Sequence, residues 1–257
     1  MSQPIWTPDA LRSEFSSYHG KAWRLVEAQH LVSTRKIVDS LDEQTLLEAI
    51  LEDAKPPVPP RCRHLDYLLA TPFRYQAYPR GSRFRRAGLT LGVWYGAERP
   101  ETAAAEMGFY RLLFFAESPA TPFPANAGEY SAICARLATG SALDLTAGAL
   151  AADQALWTHL TDYGPCQALA DAARTAAGAL LRYRSVRDPD QGSNIAVLDC
   201  AAFADPAPTI ERQTWRIYLS PSAVLVQREF PRRDIEISIA AFAVDPRIAA
   251  IWPDQML

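Results

Sequence analysis

Leu89-Thr90-Leu91-Gly92-Val93-Trp94-Tyr95-Gly96-Ala97 is followed, two residues later, by Pro100-Glu101-Thr102-Ala103-Ala104-Ala105-Glu106-Met107-Gly108-Phe109-Tyr110. The first run is apolar and rich in residues that favour a pleated chain, which predicts a strand over 89–97. Proline followed by glutamate predicts the first turn of a helix that continues to about Glu117. Ala103, Met107, Tyr110 and Phe114 share one face of that helix, and Glu106 stands about 100° from Met107, beside the face rather than opposite it.

Upstream, Thr7-Pro8-Asp9 gives a cap and a first-turn proline for a short helix over 7–16. A second helix starts at Ser40, where Ser40 and Glu43 have capping-box spacing and Leu47, Ile50, Leu51 and Ala54 repeat at helical intervals. Pro56-Pro57-Val58-Pro59-Pro60 ends it in an extended connector. The expected organisation is therefore a helical extension over 1–60, too small to be robust alone and so packed on a body over 61–257. Downstream, residues 129–146 read as two strands joined at Gly140-Ser141, and 165–178 as an alanine-rich helix. A strand over 179–184, a polar turn at 188–192 and a strand over 194–199 follow. The tail reads as strands over 214–219, 223–230 and 235–244. With no internal repeat and no glycine-rich dinucleotide fingerprint, the mixture predicts an α+β fold with largely antiparallel sheets and flanking helices.

The chain has 257 residues, is 49% hydrophobic and has a net charge of −3. It is long enough to bury a substantial core. No stretch of about 20 apolar residues could span a membrane, and the N-terminus lacks a charged region followed by an apolar signal core. A cytoplasmic protein without membrane attachment is the expectation. The four cysteines, Cys62, Cys134, Cys166 and Cys200, have no ligand spacing, so they read as reduced and mostly buried thiols, and no metal site is expected.

Charge is distributed unevenly. Residues 61–86 contain seven arginines and a single acid, Asp66. Such a cluster first suggests nucleic acid, but the pI of about 5.8 and the lack of any recognisable nucleic-acid motif argue against direct binding. Guanidinium groups also pair bidentately with phosphate, so a small phosphorylated ligand fits better. Arg74 with Tyr75, Arg83 in Gly81-Ser82-Arg83-Phe84, Tyr95 and Glu106 together suit a diphosphate, a flat ring and a positive charge developing between them. Taken singly, Tyr95 reads as strand core, Glu106 as a solvated helix residue and Ser185 as a turn serine bonding backbone. No nucleophile elbow is present, and His19, His30, His64 and His159 lack a recognisable catalytic partner.

These phrases resemble the RES domain family, named for its arginine, glutamate and serine, whose members are toxins of bacterial toxin-antitoxin modules. The match rests on Thr71-Pro72-Phe73-Arg74-Tyr75, Gly81-Ser82-Arg83-Phe84 and Thr102 to Glu106, and extends from Trp23-Arg24 to about residue 200. It departs from the family at Gln76-Ala77 and at Asp66. The resemblance implies an ADP-ribosyltransferase-like fold and attack on NAD+ as substrate, with no cofactor beyond a potential phosphate co-substrate. The implied enzyme is an NAD+ glycohydrolase or NAD+ phosphorylase that depletes NAD+ and arrests growth. A protein ADP-ribosyltransferase, or a non-catalytic polyanion-binding module, is the alternative. The resemblance also implies catalytic roles for Glu106, Arg83 and Tyr95, substrate contacts from Arg74, Tyr75, Arg83, Tyr95 and Ser185, and a cognate antitoxin with a helix-turn-helix DNA-binding domain. Homodimerisation is left open.

Overall fold

In the computed structural model, residues 6–28, 34, 37–75, 79–118, 120–204 and 211–250 are described. Ser16–Glu27 forms strand β1, with Trp23 and Leu25 buried on one face and Ala22 on the other. It pairs antiparallel with β3 (Gly128–Asp144) along nearly its whole length, from Ser16 opposite Ala142 to Glu27 opposite Tyr130. Residues 16–27, expected within a helical extension, are thus part of the sheet. Their neighbours are more than 100 residues away in sequence, and no local pattern announces such a pairing.

The remaining strands are β2 (Trp94–Ala97), β4 (Leu180–Arg184), β5 (Ser193–Val197), β6 (Glu211–Leu219), β7 (Ala223–Arg228) and β8 (Arg233–Ser238). Among the described residues they form one sheet in the order β1-β2-β5-β4-β3-β6-β7-β8. The additional β1–β3 pairing closes the first five strands of that order into a ring. Only the β3–β4 pair is parallel, so the expected largely antiparallel α+β architecture is found.

Eight helices flank this sheet among the described residues. They are α1 (Pro8–Ser13), α2 (Leu41–Asp53), α3 (Tyr67–Arg74), α4 (Pro100–Ala116), α5 (Gln154–Trp157), α6 (Gly164–Thr175), α7 (Ile239–Phe242) and α8 (Pro246–Ala249). Alternation along the strands sorts the core into three parts. Trp94, Ile195, Val197, Ile133 and Leu180 pack together with Phe73 of α3. On the opposite face of the same strands, Tyr95, Tyr183, Leu181 and Ala196 meet Leu11 of α1 and Leu169 of α6. Helix α4 lays Phe109, Leu112 and Ala116 against Trp23, Trp215 and Val224.

Several local expectations change. Residues 89–93 lie outside β2, because the Gly92 backbone presses against the Pro72 carbonyl and Phe73, leaving no room for a Cβ. Residues 128–144 form one strand rather than two. The Gly140-Ser141 irregularity is taken up by a register shift against β1 between Ser16 and Tyr18, a bulge instead of a turn. Residues 239–242 turn helical because the Ser238 hydroxyl caps them, accepting from the Ala241 N–H. On α4, Tyr110 and Phe114 are exposed, and the buried face runs through Ala105, Phe109, Leu112 and Ala116. Ser40 caps α2 as expected, accepting from the Glu43 N–H, while Glu43 reaches back to the Asp39 N–H. No residue of α2 is buried, however, so its repeating apolar positions do not form a core face.

The cysteine reading needs correction. Cys62 and Cys200 are disulfide-bonded, with Cα atoms 5.5 Å apart at a sequence separation of 138. They lie in two short 3₁₀ turns, Pro60–Cys62 and Cys200–Ala202, which the fold brings into contact. Cys134 and Cys166 are free and buried, as expected. No helix among the described residues is long and apolar enough to cross a membrane.

Candidate active site

The first turn of α4 begins at Pro100, where a missing N–H costs nothing, and three alanines then bring the helix close to the β4–β5 turn. Thr102 is fully buried at this contact, and its hydroxyl donates to Asp188 Oδ2 at 2.7 Å. Asp188 also accepts from Arg99 at 3.3 Å and from the backbone N–H groups of Asp190 and Gly192 at 3.0 and 3.2 Å. One carboxylate therefore fixes both the turn and the helix start. Gly192 sits where a Cβ would overlap the Thr102 hydroxyl and lie 2.8 Å from Asp188 Oδ2. Gly192→Ala is expected to destabilise the protein by about 1–3 kcal/mol, as overpacking does, and to lower its urea midpoint without changing the slope.

This contact places Glu106 one turn further along α4, half-buried, against the same strands. Its Oε1 accepts from the Ser185 hydroxyl at 2.7 Å and from Asn194 Nδ2 at 2.6 Å. No hydrogen bond to Oε2 is made by any described residue. The carboxylate is thus held by one oxygen and presents the other. Ser185 is 1% exposed, and its hydroxyl also accepts from the N–H groups of Arg187 and Asp188 at 3.2 and 3.0 Å. Its one donor and both acceptor positions are used within the protein. The structure brings Ser185 to Glu106 across 79 residues, as a group that orients the carboxylate. Asn194 was not foreseen. Its only sequence signal is its place at the start of a strand after a polar turn.

Tyr95 reaches a different part of the site. Its hydroxyl bonds to Ser82 Oγ at 2.9 Å and accepts from the Phe84 N–H at 3.0 Å, so it anchors the Gly81-Ser82-Arg83-Phe84 loop. Burial raises its pKa. Arg83 is buried, donates to the Trp157 and His159 carbonyls at 2.7 and 3.0 Å, and stacks over Tyr163 at 4.7 Å. Arg74, also buried, ends α3; it donates to the Pro56 carbonyl at 2.7 Å and pairs with Glu52 of α2 at 2.5 Å. Tyr75 is the half-buried C-cap of α3, and Gln76-Ala77 lie outside the described residues.

The arginine cluster is therefore not a free cationic patch. Arg61 pairs with Asp199, Arg86 with Asp171, and Arg85 donates to the Arg80 carbonyl. Arg24 on β1 contrasts with these: its side chain makes no hydrogen bond to any described residue, and burial lowers its pKa to about 10. No cluster of metal-ligating side chains exists among the described residues. On the outer side of the β4–β5 turn a cleft opens, lined by Gln154, Thr158, Arg184, Ser185, Arg187 and Gln191.

A mixed sheet carrying a helix-borne glutamate, held by a serine from a distant strand end and accompanied by a buried arginine loop, defines an α+β protein with an arginine-glutamate-serine constellation. A model of the RES domain matches residues 58–220, and the chain belongs to that family. The match leaves β1, which completes the sheet, outside its span. Among solved structures, the chain is similar to one in the crystal structure of the M. tuberculosis MbcT-MbcA toxin-antitoxin complex, at 13% identity and a TM-score of 0.43, covering 93% of this chain and 95% of that one. No curated protein matches the chain.

Proposed function

We propose that this protein cleaves the nicotinamide-ribose bond of NAD+, as the toxin of a toxin-antitoxin module. The observation that carries this reading is the Glu106 carboxylate, anchored through Oε1 by Ser185 and Asn194 with Oε2 left open. In the reaction, the bond between ribose C1' and the pyridinium nitrogen breaks and its electron pair goes to nitrogen. Nicotinamide leaves as a neutral molecule and needs no acid. The demanding species is the oxocarbenium ion that remains. A fixed carboxylate beside it stabilises the developing positive charge and holds the ribose 2'-hydroxyl. Because its orientation is set in advance by two donors, little reorganisation is needed when the charge appears.

Arg83 and Arg74 are the candidate diphosphate groups, and the free protein constrains how they act. Arg83 spends one nitrogen on two carbonyls, which leaves its other N–H groups for a phosphate. Arg74 holds the Glu52 carboxylate, and binding phosphate through this arginine requires exchanging one anion for another. Tyr95 acts by fixing the loop that carries Arg83. Ser185, implied by the resemblance as a substrate contact, also holds the Glu106 carboxylate. Water as acceptor gives hydrolysis, phosphate gives phosphorolysis, and a protein side chain gives ADP-ribosylation. Family membership supports a neutralising antitoxin, for which a helix-turn-helix DNA-binding protein is the expected class, and an intracellular substrate pool supports a cytoplasmic site of action.

The test is to incubate pure protein with NAD+, with and without inorganic phosphate, and to identify products by mass. Nicotinamide with ADP-ribose indicates water as acceptor, and nicotinamide with a phosphorylated ADP-ribose indicates phosphate. Folded protein that releases no nicotinamide in either mixture refutes the NAD+ reading.

A further inference from the structure

Tyr183 of β4 lies directly opposite Asn194 of β5 in the antiparallel register, and both side chains point to the face that carries Tyr95. Asn194 is the residue that donates to Glu106 at 2.6 Å. The Tyr183 ring packs edge-on against Phe84, centroid to centroid 4.8 Å, in the loop that also holds Arg83. It is within electrostatic reach of Glu106, Tyr95, Arg83 and Tyr110. Tyr183 thus stands between the two halves of the site, the arginine loop on one side and the carboxylate on the other.

Its hydroxyl is the anomaly. The residue is 7% exposed, its hydroxyl makes no hydrogen bond with any described residue, and that hydroxyl is not sealed from solvent. A tyrosine hydroxyl with no protein partner at the edge of a buried ring is open to a partner from outside the protein. Directly across the strand pair, Asn194 is 3% exposed and its Oδ1 also lacks a partner. Two polar atoms without a protein partner on facing residues, Asn194 Oδ1 buried and the Tyr183 hydroxyl open to solvent, next to a carboxylate with one open oxygen, match a ligand that both donates and accepts hydrogen bonds. Vicinal sugar hydroxyls do so.

From this geometry we infer that Tyr183 is a further substrate-contacting residue, whose hydroxyl bonds the ribose on the nicotinamide side, beside the hydroxyl held by Glu106. Asn194 is a positioning residue that orients Glu106 and faces the same sugar. Burial and the neighbouring carboxylate push the Tyr183 pKa well up, which keeps the phenol protonated and able to donate. The inference rests on the NAD+ reading given above.

The decisive variant is Tyr183→Phe, which removes one oxygen and keeps the ring that packs on Phe84. A purely structural hydroxyl would lower the melting temperature when removed; this one, unpartnered in the free protein, should leave it unchanged or slightly raised. Binding is measured by calorimetry in Glu106→Gln protein, with and without Tyr183→Phe, using ADP-ribose and AMP as probes. The expected result is affinity for ADP-ribose weakened by about 3- to 10-fold, the worth of one hydrogen bond, with AMP binding unchanged. Equal affinity of the two proteins for ADP-ribose overturns the Tyr183 assignment while leaving the NAD+ reading intact. An equal loss for AMP also overturns it, because the contact would then lie on the adenosine side. If wild-type protein releases no nicotinamide and binds neither probe, the NAD+ reading and this assignment fall together.

Discussion

Glu106→Gln should reduce nicotinamide release from NAD+ by about 10²- to 10⁴-fold while the protein remains folded. Glutamine keeps the length of the side chain, and its carbonyl oxygen can still accept from Ser185 and Asn194, the two groups that now hold Oε1. What it loses is the negative charge facing the ribose as C1' becomes cationic. The loss should therefore appear in kcat, with KM changed much less, because the charge being stabilised exists only near the transition state. Single-turnover measurement of nicotinamide release separates this from slow product departure. A Glu106→Gln protein that turns over at the wild-type rate would mean that the open oxygen of Glu106 is not where the reaction occurs.

Asp245→Ala carries the largest expected loss of stability. Asp245 caps α8, is fully buried, and pairs with the equally buried Arg187 at 2.7 Å and with Arg247 at 2.9 Å. Arg187 lies over the Phe109 ring at 3.9 Å, donates to the Leu160 carbonyl, and contributes the backbone N–H that bonds the Ser185 hydroxyl. Removing the carboxylate leaves a guanidinium buried without its counter-charge. Such half-broken pairs cost about 3–5 kcal/mol, which for a chain of this size lowers the melting temperature by about 6–20 °C. The pair also has a pH signature. Burial acts to raise the Asp245 pKa, but hydrogen bonds from Arg247 and the nearby Arg187 charge outweigh it, and the net shift is downward. A carboxylate whose folded pKa is lowered contributes stability that is present above its unfolded value, near 3.9, and lost as pH falls through the folded value. Wild-type protein should therefore lose melting temperature more steeply below about pH 4 than Asp245→Ala protein does. Parallel curves for the two proteins between pH 2 and 5 would show that Asp245 does not carry this stability.

Local signals in the sequence were strong enough to define much of the fold. Thr7 and Ser40 cap helices because a hydroxyl at a helix start satisfies an N–H that the helix cannot. Pro100 marked the start of the helix that carries Glu106, and the polar run at 188–192 marked the turn that meets it. What failed did so where a local pattern has two outcomes. Gly140-Ser141 suits a turn or a bulge, and only the run of β1 along β3 selects the bulge. Residues 89–93 look like strand, but the close approach of Gly92 to α3 takes them out of the sheet.

For the site, the sequence by itself determined the chemical groups: a glutamate on a short-residue helix face, an arginine loop, a tyrosine and a distant serine. Tertiary structure alone decided what each group touches. Hydrogen bonds have a reach of about 3 Å, and whether a side chain meets substrate or another side chain depends on contacts between residues far apart in the chain. The Ser185 hydroxyl is consumed by Glu106 and its own turn, Arg74 is already paired with Glu52, and Cys62 and Cys200 are joined across 138 residues. Tyr183 and Asn194, silent in the sequence as alternating strand residues, become the polar pair beside the carboxylate because β4 and β5 place them in register.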